Sequence, residues 1–444
     1  MTASVPPDES PFIRLVQRAV DVKAEEVRAL GWSCAYFFFI LSAYYIIRPM
    51  REEVGVAGGV RNLPWLFTGT LTAMLLVHPP FAALVAKFPR RTFVPFANRF
   101  FAANLVIFYV LLRTIPPESA IWAGRVFFVW TSVFNLFVVS VFWSFMADVF
   151  TAPPGKRLFG FIGFGGTLGG IAGSAATAWL APLTGPVNLL LLSVVLLELS
   201  TLAVRRLSAV SSLWSATRSR SSDHDAVIGG GTFTGIRQAL SNPYLLGIGA
   251  YMLLFTIGST ILYFQQAAIA DAAYSDPGRR TAFFARIDLA VNILTLLTQM
   301  FLTGRIVKAL GVAVTLTLLP ALSIIGFVTL GIAPTVAAFV VFQVLRRAGE
   351  FAVARPTREV LYTVMSREDK YKAKNFIDTF VYRAGDQIGA WTMAGLTALG
   401  IAVSSVAFSA APLALIWLGI GWWLGKQQEV RARALETTAP RQVA

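Results

Sequence analysis

The sequence predicts an all-α membrane protein, with twelve transmembrane helices in two six-helix halves. Three observations carry that prediction. Of 444 residues, 56% are hydrophobic and only 14% are charged, where a soluble protein holds roughly 25% charged residues. A water-facing chain of this size could not hide so much apolar surface in its core. The apolar residues also fall into runs of about 20, the length that spans a hydrocarbon layer of ~30 Å. Finally, the basic residues collect in alternate gaps between those runs.

The runs, in order, are 29–47, 62–86, 93–113, 119–149, 157–181, 184–204, 243–269, 281–304, 311–331, 334–363, 374–399 and 403–424. The fourth, tenth and eleventh carry charge, so a hydropathy criterion alone can miss one of them. Ahead of the first run stand Asp8, Glu9, Asp21, Glu25 and Glu26, unlike the basic start of a secretory signal. This leading stretch reads either as an amphipathic helix on the cytoplasmic membrane face or as a solvated helical tail. The chain thus divides into a cytoplasmic segment 1–28, a first half 29–204, a linker 205–242, a second half 243–425 and a tail 426–444. The linker is rich in Ser and contains Gly229–Gly231, a flexible composition. Six helices, a linker and six helices is the plan of major facilitator transporters, whose solute site lies midway between the halves. Short echoes between the halves, KFPRR (87–91) with GRIVK (304–308) and KRLFG with KAKNF, are not separable from chance.

Orientation follows from Lys and Arg. Counted with the N-terminus inside, the cytoplasmic segments hold 24 of them, and the opposite side holds five, namely Arg51, Arg61, Arg113, Arg279 and Arg280. That asymmetry puts both termini in the cytoplasm of a multi-pass inner-membrane protein. It also accounts for the net charge of +15, so no nucleic-acid partner is expected. Cys34 is the single cysteine, and His78 and His224 lie far apart. No intramolecular disulfide can form, and neither a metal site nor a cofactor is expected.

Ionisable residues at membrane depth are the informative ones, because each costs at least about 2.5–3.5 kcal/mol at a helix centre. Nine arginines qualify: Arg48, Arg99, Arg125, Arg286, Arg346, Arg347, Arg355, Arg358 and Arg383. Seven acids match them: Asp148, Glu198, Asp288, Glu350, Glu359, Asp378 and Asp386. Individual pairs can be structural salt bridges, but some of this set is expected to line a polar cavity. On the tenth run, Arg347, Glu350 and Arg358 fall on roughly one helical face, and Arg355 with Glu359 forms an i,i+4 pair. Pro356 removes a backbone bond beside them, which frees carbonyls and kinks the helix. Arg383 and Asp386, three apart, are expected to pair, and Arg48 stands beside Pro49 at the end of the first run. Arginine forks suit carboxylates and phosphates, and the slight cationic surplus favours an anionic solute. Asp288, Asp378 and Asp386 are candidates for proton coupling or gating, as an unpaired Glu350 would also be.

Other features read as packing. The glycines of GFIGFGGTLGGIAG (160–173) follow no strand, so close helix contact is favoured over a phosphate loop. Trp130, Asn135 and Trp143 on the fourth run offer a stacking pocket, against the competing reading of lipid contact or packing. Trp422 and Trp423 read as interfacial anchors.

Three stretches resemble a known family. YYIIRPMREEVGVAGG (44–59) with NLPWLF (62–67), FW (142–143) followed by KRLFGFIGFGG (156–166), and EFAVARPTREVLYTVMSREDKYKAKNFIDTFVYRAGDQIGAW (350–391) are similar to the ATP/ADP translocases of plastids and intracellular bacteria. The resemblance implies a divergent bacterial member, a major-facilitator-like fold and nucleotide exchange. It places Arg51 near a cationic family position and puts Arg358 and Glu359 in the family's Pro-Thr-[Lys/Arg]-Glu motif. Two departures stand out. Asp386 occupies a position where the family commonly carries lysine, and the acid usual early in the family's fourth helix is absent, with Thr131 and Asn135 in that neighbourhood.

The function read from all this is secondary active transport of a polar, anionic, nucleotide-like solute by alternating access, in a monomer embedded in lipid. The substrate-binding candidates are Arg48, Arg51, Asn135, Trp143, Arg347, Glu350, Arg358, Glu359 and Arg383. The alternatives are a proton-coupled carrier of a non-nucleotide solute and a non-transporting sensor or assembly protein. An enzyme is not expected: no nucleophile stands with a base, and no Walker motif is present.

Overall fold

The computed structural model describes residues 24–88, 90–150, 152–217, 242–365, 374, 376–401 and 405–438, and these are almost wholly helical. Lipid offers no hydrogen-bond partner to the backbone, so each apolar run closes its own ladder as a helix. The first half contains α1 (Ala24–Ala57), α2 (Leu63–Lys87), α3 (Arg90–Thr114), α4 (Pro117–Val149), α5 (Ala152–Thr184) and α6 (Leu189–Thr217). The second contains α7 (Pro243–Ala273), α8 (Pro277–Phe301), α9 (Thr303–Ile332), α10, α11 and α12 (Val406–Thr438). α10 is composite: Val336–Gly349, a π turn at Glu350–Ala354, then Arg355–Leu361. α11 likewise begins with a π turn, Ile377–Val381, and continues as Tyr382–Ala398.

Helices stand at the expected places, but several outlast their apolar runs. α1 carries on through Arg48, Arg51, Glu52 and Glu53, and α6 continues to Thr217. Intrahelical bonds do not end where the side chains turn polar. Among the described residues nine helices are long and apolar enough to cross a membrane: α1, α3 to α9 and α12. α10 and α11, interrupted by π turns and carrying charge, are not among the nine, and neither is α2.

The chain forms two compact units. One contains Met1–Val54, Thr72–Ser222 and Pro277–Arg286; the other contains Gly55–Leu71, Asp223–Asp276 and Ile287–Ala444. Within the first, α5 lies against α1 along a stripe of glycines. A Cβ on Gly165 would stand 2.9 Å from the Cys34 carbonyl, and one on Gly169 or Gly173 would strike the Phe38 or Ser42 carbonyl. Ser42 uses that proximity to donate to the Gly169 carbonyl at 3.1 Å. Within the second unit, α11 lies on α7 in the same manner. A Cβ on Gly385 or Gly389 would approach Thr256 or Thr260 to 2.8 Å. The pairing of α3 with α6 recurs as α9 with α12. The repeat that is too faint in the sequence is therefore carried by helix contacts. The glycine-rich stretch of α5 is a packing face, as its spacing predicts.

Candidate functional site

The site is built around the break in α10. Thr335 caps the helix, accepting from the Ala338 N–H at 3.2 Å, and regular turns run to Gly349. There the ladder widens: the Arg355 N–H reaches the Glu350 carbonyl, five residues back. The Phe351 carbonyl, which an α-helix would have used, accepts instead from Gln299 Nε2 at 3.2 Å. Pro356 has no N–H for the Ala352 carbonyl, and Thr303 Oγ1 supplies the bond at 2.7 Å. Side chains of α8 and α9 thus satisfy the carbonyls that the π turn and the proline release. π turns of this kind concentrate at functional sites.

The extra residue in the turn rotates the remainder of α10, and this corrects the expectation of a single charged face. Arg347 turns to α8 and meets Asp288 at 2.7 Å, with side-chain exposures of 15% and 3%. Arg358 turns back along its own helix to Glu350 at 3.2 Å, both buried. Glu350 Oε2 is buried with no hydrogen-bond partner among the described residues. The expected pair of Arg355 with Glu359 does not form. Glu359 meets Lys374 at 2.6 Å, and Arg355 is exposed. Asp378, exposed on the π turn of α11, is an electrostatic neighbour of Arg358 together with Glu350, Tyr251 and Tyr362. The expected Arg383–Asp386 pair is present at 3.1 Å, and Thr260 of α7 donates to the other Asp386 oxygen at 3.3 Å.

The second unit therefore gathers Asp288, Arg347, Glu350, Arg358, Glu359, Asp378, Arg383 and Asp386. The first-unit candidates are arranged differently. Arg51 pairs with its neighbour Glu52 at 2.8 Å and lies over the Phe128 ring, 3.9 Å from its centroid. Arg48 is half-buried on α1, and Asn135 is half-buried on α4. Trp143 is engaged edge-on by Phe37, Phe142 and Phe159, at 5.5, 5.1 and 5.6 Å between centroids. Trp130 stacks on Phe134 at 5.3 Å. Both tryptophans are half-buried and pack against the aromatic core of the first unit. Arg99 meets Glu198 at 3.3 Å between α3 and α6, both about half exposed.

Sequence reasoning missed several polar contacts. Gln343 donates to Gln266 at 2.8 Å inside the second unit, and Arg280 reaches Glu53 at 3.5 Å inside the first. Arg346, adjacent to Arg347, faces away from it into a buried shell of neutral acceptors. Consecutive residues on a helix point about 100° apart, so only the packing decides which of two arginines meets an acid.

Chemically, three arginine forks are held by carboxylates within one unit. Such a fork can pass from a protein carboxylate to an anionic ligand without ever lying bare in a low dielectric.

No family model matches the chain. Its sequence is 21% identical over 479 residues to ADP,ATP carrier protein 2 of Chlamydia pneumoniae, covering 89% of this chain and 88% of that one. It is 20% identical to ADP,ATP carrier protein 1 of Chlamydia muridarum over 484 residues, covering 92% and 90%. Among solved structures, a bacterial homologue of the iron transporter ferroportin in its inward-facing state matches with a TM-score of 0.61 at 12% identity, covering 88% of this chain and 99% of that one. The POT family transporter PepTSo matches with a TM-score of 0.59 at 12% identity, covering 93% and 99%. A bacterial homologue of the human lysosomal transporter Spinster gives 0.55 at 12% identity, covering 94% and 98%. The fold is major-facilitator-like.

Proposed function

We propose that this chain, similar along most of its length to ADP,ATP carrier proteins, is a divergent bacterial member of that family and moves a polar, anionic, nucleotide-like solute across the inner membrane. It acts by alternating access of its two six-helix halves, 29–204 and 243–425, joined through 205–242, as a monomer without a cofactor. The observation that carries this reading is the set of pairs Arg347–Asp288, Arg358–Glu350 and Arg383–Asp386 on α8, α10 and α11. An incoming phosphate or carboxylate takes over a guanidinium fork, and the released acid is left to gate or to accept a proton. Asp386, where the family commonly carries lysine, is not a bare anion facing the solute. Arg383 and Thr260 hold it, so the local charge is balanced. Its neutral pairing weakens the repulsion that an isolated carboxylate would exert on a polyphosphate.

The test is exchange in proteoliposomes of the purified protein, with labelled ATP, ADP and other nucleotides outside and unlabelled nucleotide inside. Saturable exchange that Arg358→Ala abolishes supports the reading. Absence of exchange by folded protein retires it.

A second reading, proton-coupled transport of a non-nucleotide solute, is favoured by Glu350 Oε2, a buried carboxylate oxygen without a hydrogen-bond partner among the described residues. That reading requires uptake to collapse with an uncoupler. Nucleotide counter-exchange is indifferent to one.

A further inference from the structure

Arg346 is only 3% exposed, and no carboxylate stands within ion-pair distance of it among the described residues. Glu350, one turn along, commits its one bonded oxygen to Arg358. The Arg346 guanidinium donates from Nε to Ser323 Oγ at 3.1 Å, from Nη1 to Ser259 Oγ at 3.0 Å and from Nη2 to the Phe255 carbonyl at 3.1 Å. All three acceptors are neutral. They occupy three of the five donors that a guanidinium carries. The Phe255 and Trp417 rings lie 5.2 and 5.9 Å from its central carbon, which softens the charge without cancelling it.

Trp417, 2% exposed, has an indole N–H with no hydrogen-bond partner among the described residues. Arg346 and Trp417 line the same small cavity between α7, α9, α10 and α12, where the remaining wall is hydrocarbon from residues such as Leu254, Ile261, Phe327 and Leu413. Gly258 keeps the space open, since a Cβ there would come within 3.3 Å of Arg346 Nη2. The cavity has room for about one water-sized particle. Its polar side chains offer donors and no acceptor. A water molecule would be left with both of its hydrogens unsatisfied, whereas a monatomic anion needs donors alone and also places a negative charge in direct contact with Arg346, whose nearest carboxylate influence, Glu350, lies beyond ion-pair distance.

We propose that this cavity is a halide site, with chloride held between the free N–H groups of Arg346 and the indole N–H of Trp417. The site lies on a different side of α10 from the Arg347–Asp288 pair, about 100° around the helix, and is independent of the solute that the protein carries. Chloride there acts as a structural counter-ion that ties α10 to α12.

The experiment is thermal unfolding of the purified full-length chain in detergent, in gluconate buffer of constant ionic strength into which chloride or bromide is exchanged. The expected result is a saturable rise in Tm with either halide. Trp417→Phe, which keeps an aromatic ring but removes the N–H together with part of the indole, is expected to lower Tm in either buffer and to raise the half-saturating concentration about tenfold. Equal stability in gluconate and chloride overturns the proposal. So does a half-saturation that Trp417→Phe leaves unchanged, because the halide would then bind elsewhere. Nucleotide exchange is not the readout, so this result and the transport result stand or fall separately.

Discussion

Thr303 donates its hydroxyl to the carbonyl of Ala352 at 2.7 Å, at the one carbonyl in α10 that Pro356 leaves without its helical donor. The start of α9 is thereby fastened to the π turn that separates Arg347 from Arg358. That turn decides which carboxylate each arginine meets, so a threonine outside the charged cluster helps to set its geometry.

This bond is testable by a double-mutant cycle. Interhelical hydrogen bonds in membranes average about 0.6 kcal/mol and reach about 1.7. Thr303→Val is expected to fall in the upper part of that range, because it strands a carbonyl that has no other donor. In a Pro356→Ala background, where residue 356 regains its N–H, the same substitution is expected to cost much less. Equal costs in both backgrounds, read from Tm or denaturant midpoints, would show that Thr303 acts otherwise.

The glycine stripe predicts a sharp contrast along one helix. A Cβ on Gly169 would strike the Phe38 carbonyl, whereas one on Gly163 meets nothing within 4 Å. Gly169→Ala is expected to destabilise by about 1–3 kcal/mol, the range for overpacking. Gly163→Ala is expected to be neutral or stabilising by up to about 1 kcal/mol, through reduced backbone freedom. Paired melting curves decide the point.

For the Arg347–Asp288 pair, removing one partner strands a buried charge, which costs about 3–5 kcal/mol. Asp288→Asn and Arg347→Gln are each expected to lower stability by that order, and the double variant is expected to recover most of it. Transport should not recover in the double variant if Arg347 serves the solute. Recovery of uptake together with Tm would mark the pair as structural.

The Arg383–Asp386 pair separates binding from repulsion. Asp386→Asn releases the Arg383 fork and is expected to lower the KM for an anionic solute. Arg383→Gln leaves the acid without its guanidinium and is expected to raise KM about tenfold, near the worth of one hydrogen bond to a charged group. Unchanged KM values with lowered Tm would remove both residues from the solute path.

Much of this arrangement is legible in the residues. Helix positions follow from the apolar runs, and Arg383 and Asp386 pair as their spacing requires, because both facts are local. Where the local rule is interrupted, periodicity misleads. A regular helix puts Arg347 and Arg358 on one face, and the π turn at Glu350–Ala354 adds a residue that separates them. Pro356 signals a disturbed ladder but not its form. The partners of the freed carbonyls, Gln299 and Thr303, lie about fifty residues away on other helices.

The sequence by itself determined the solvent and the helical class of this protein, since both follow from composition and from the length of apolar runs. It also held the family resemblance in 44–67, 142–166 and 350–391, where motif residues stand in order along the chain. Only the tertiary structure decided the partners: Asp288 for Arg347, Lys374 for Glu359, and three neutral acceptors for Arg346. The reason is geometric. Periodicity says which residues share a helix face, but charge pairing depends on which helices pack and on the rotation at which they pack. In this chain that rotation is set by carbonyls, glycines and one threonine that carry no charge at all.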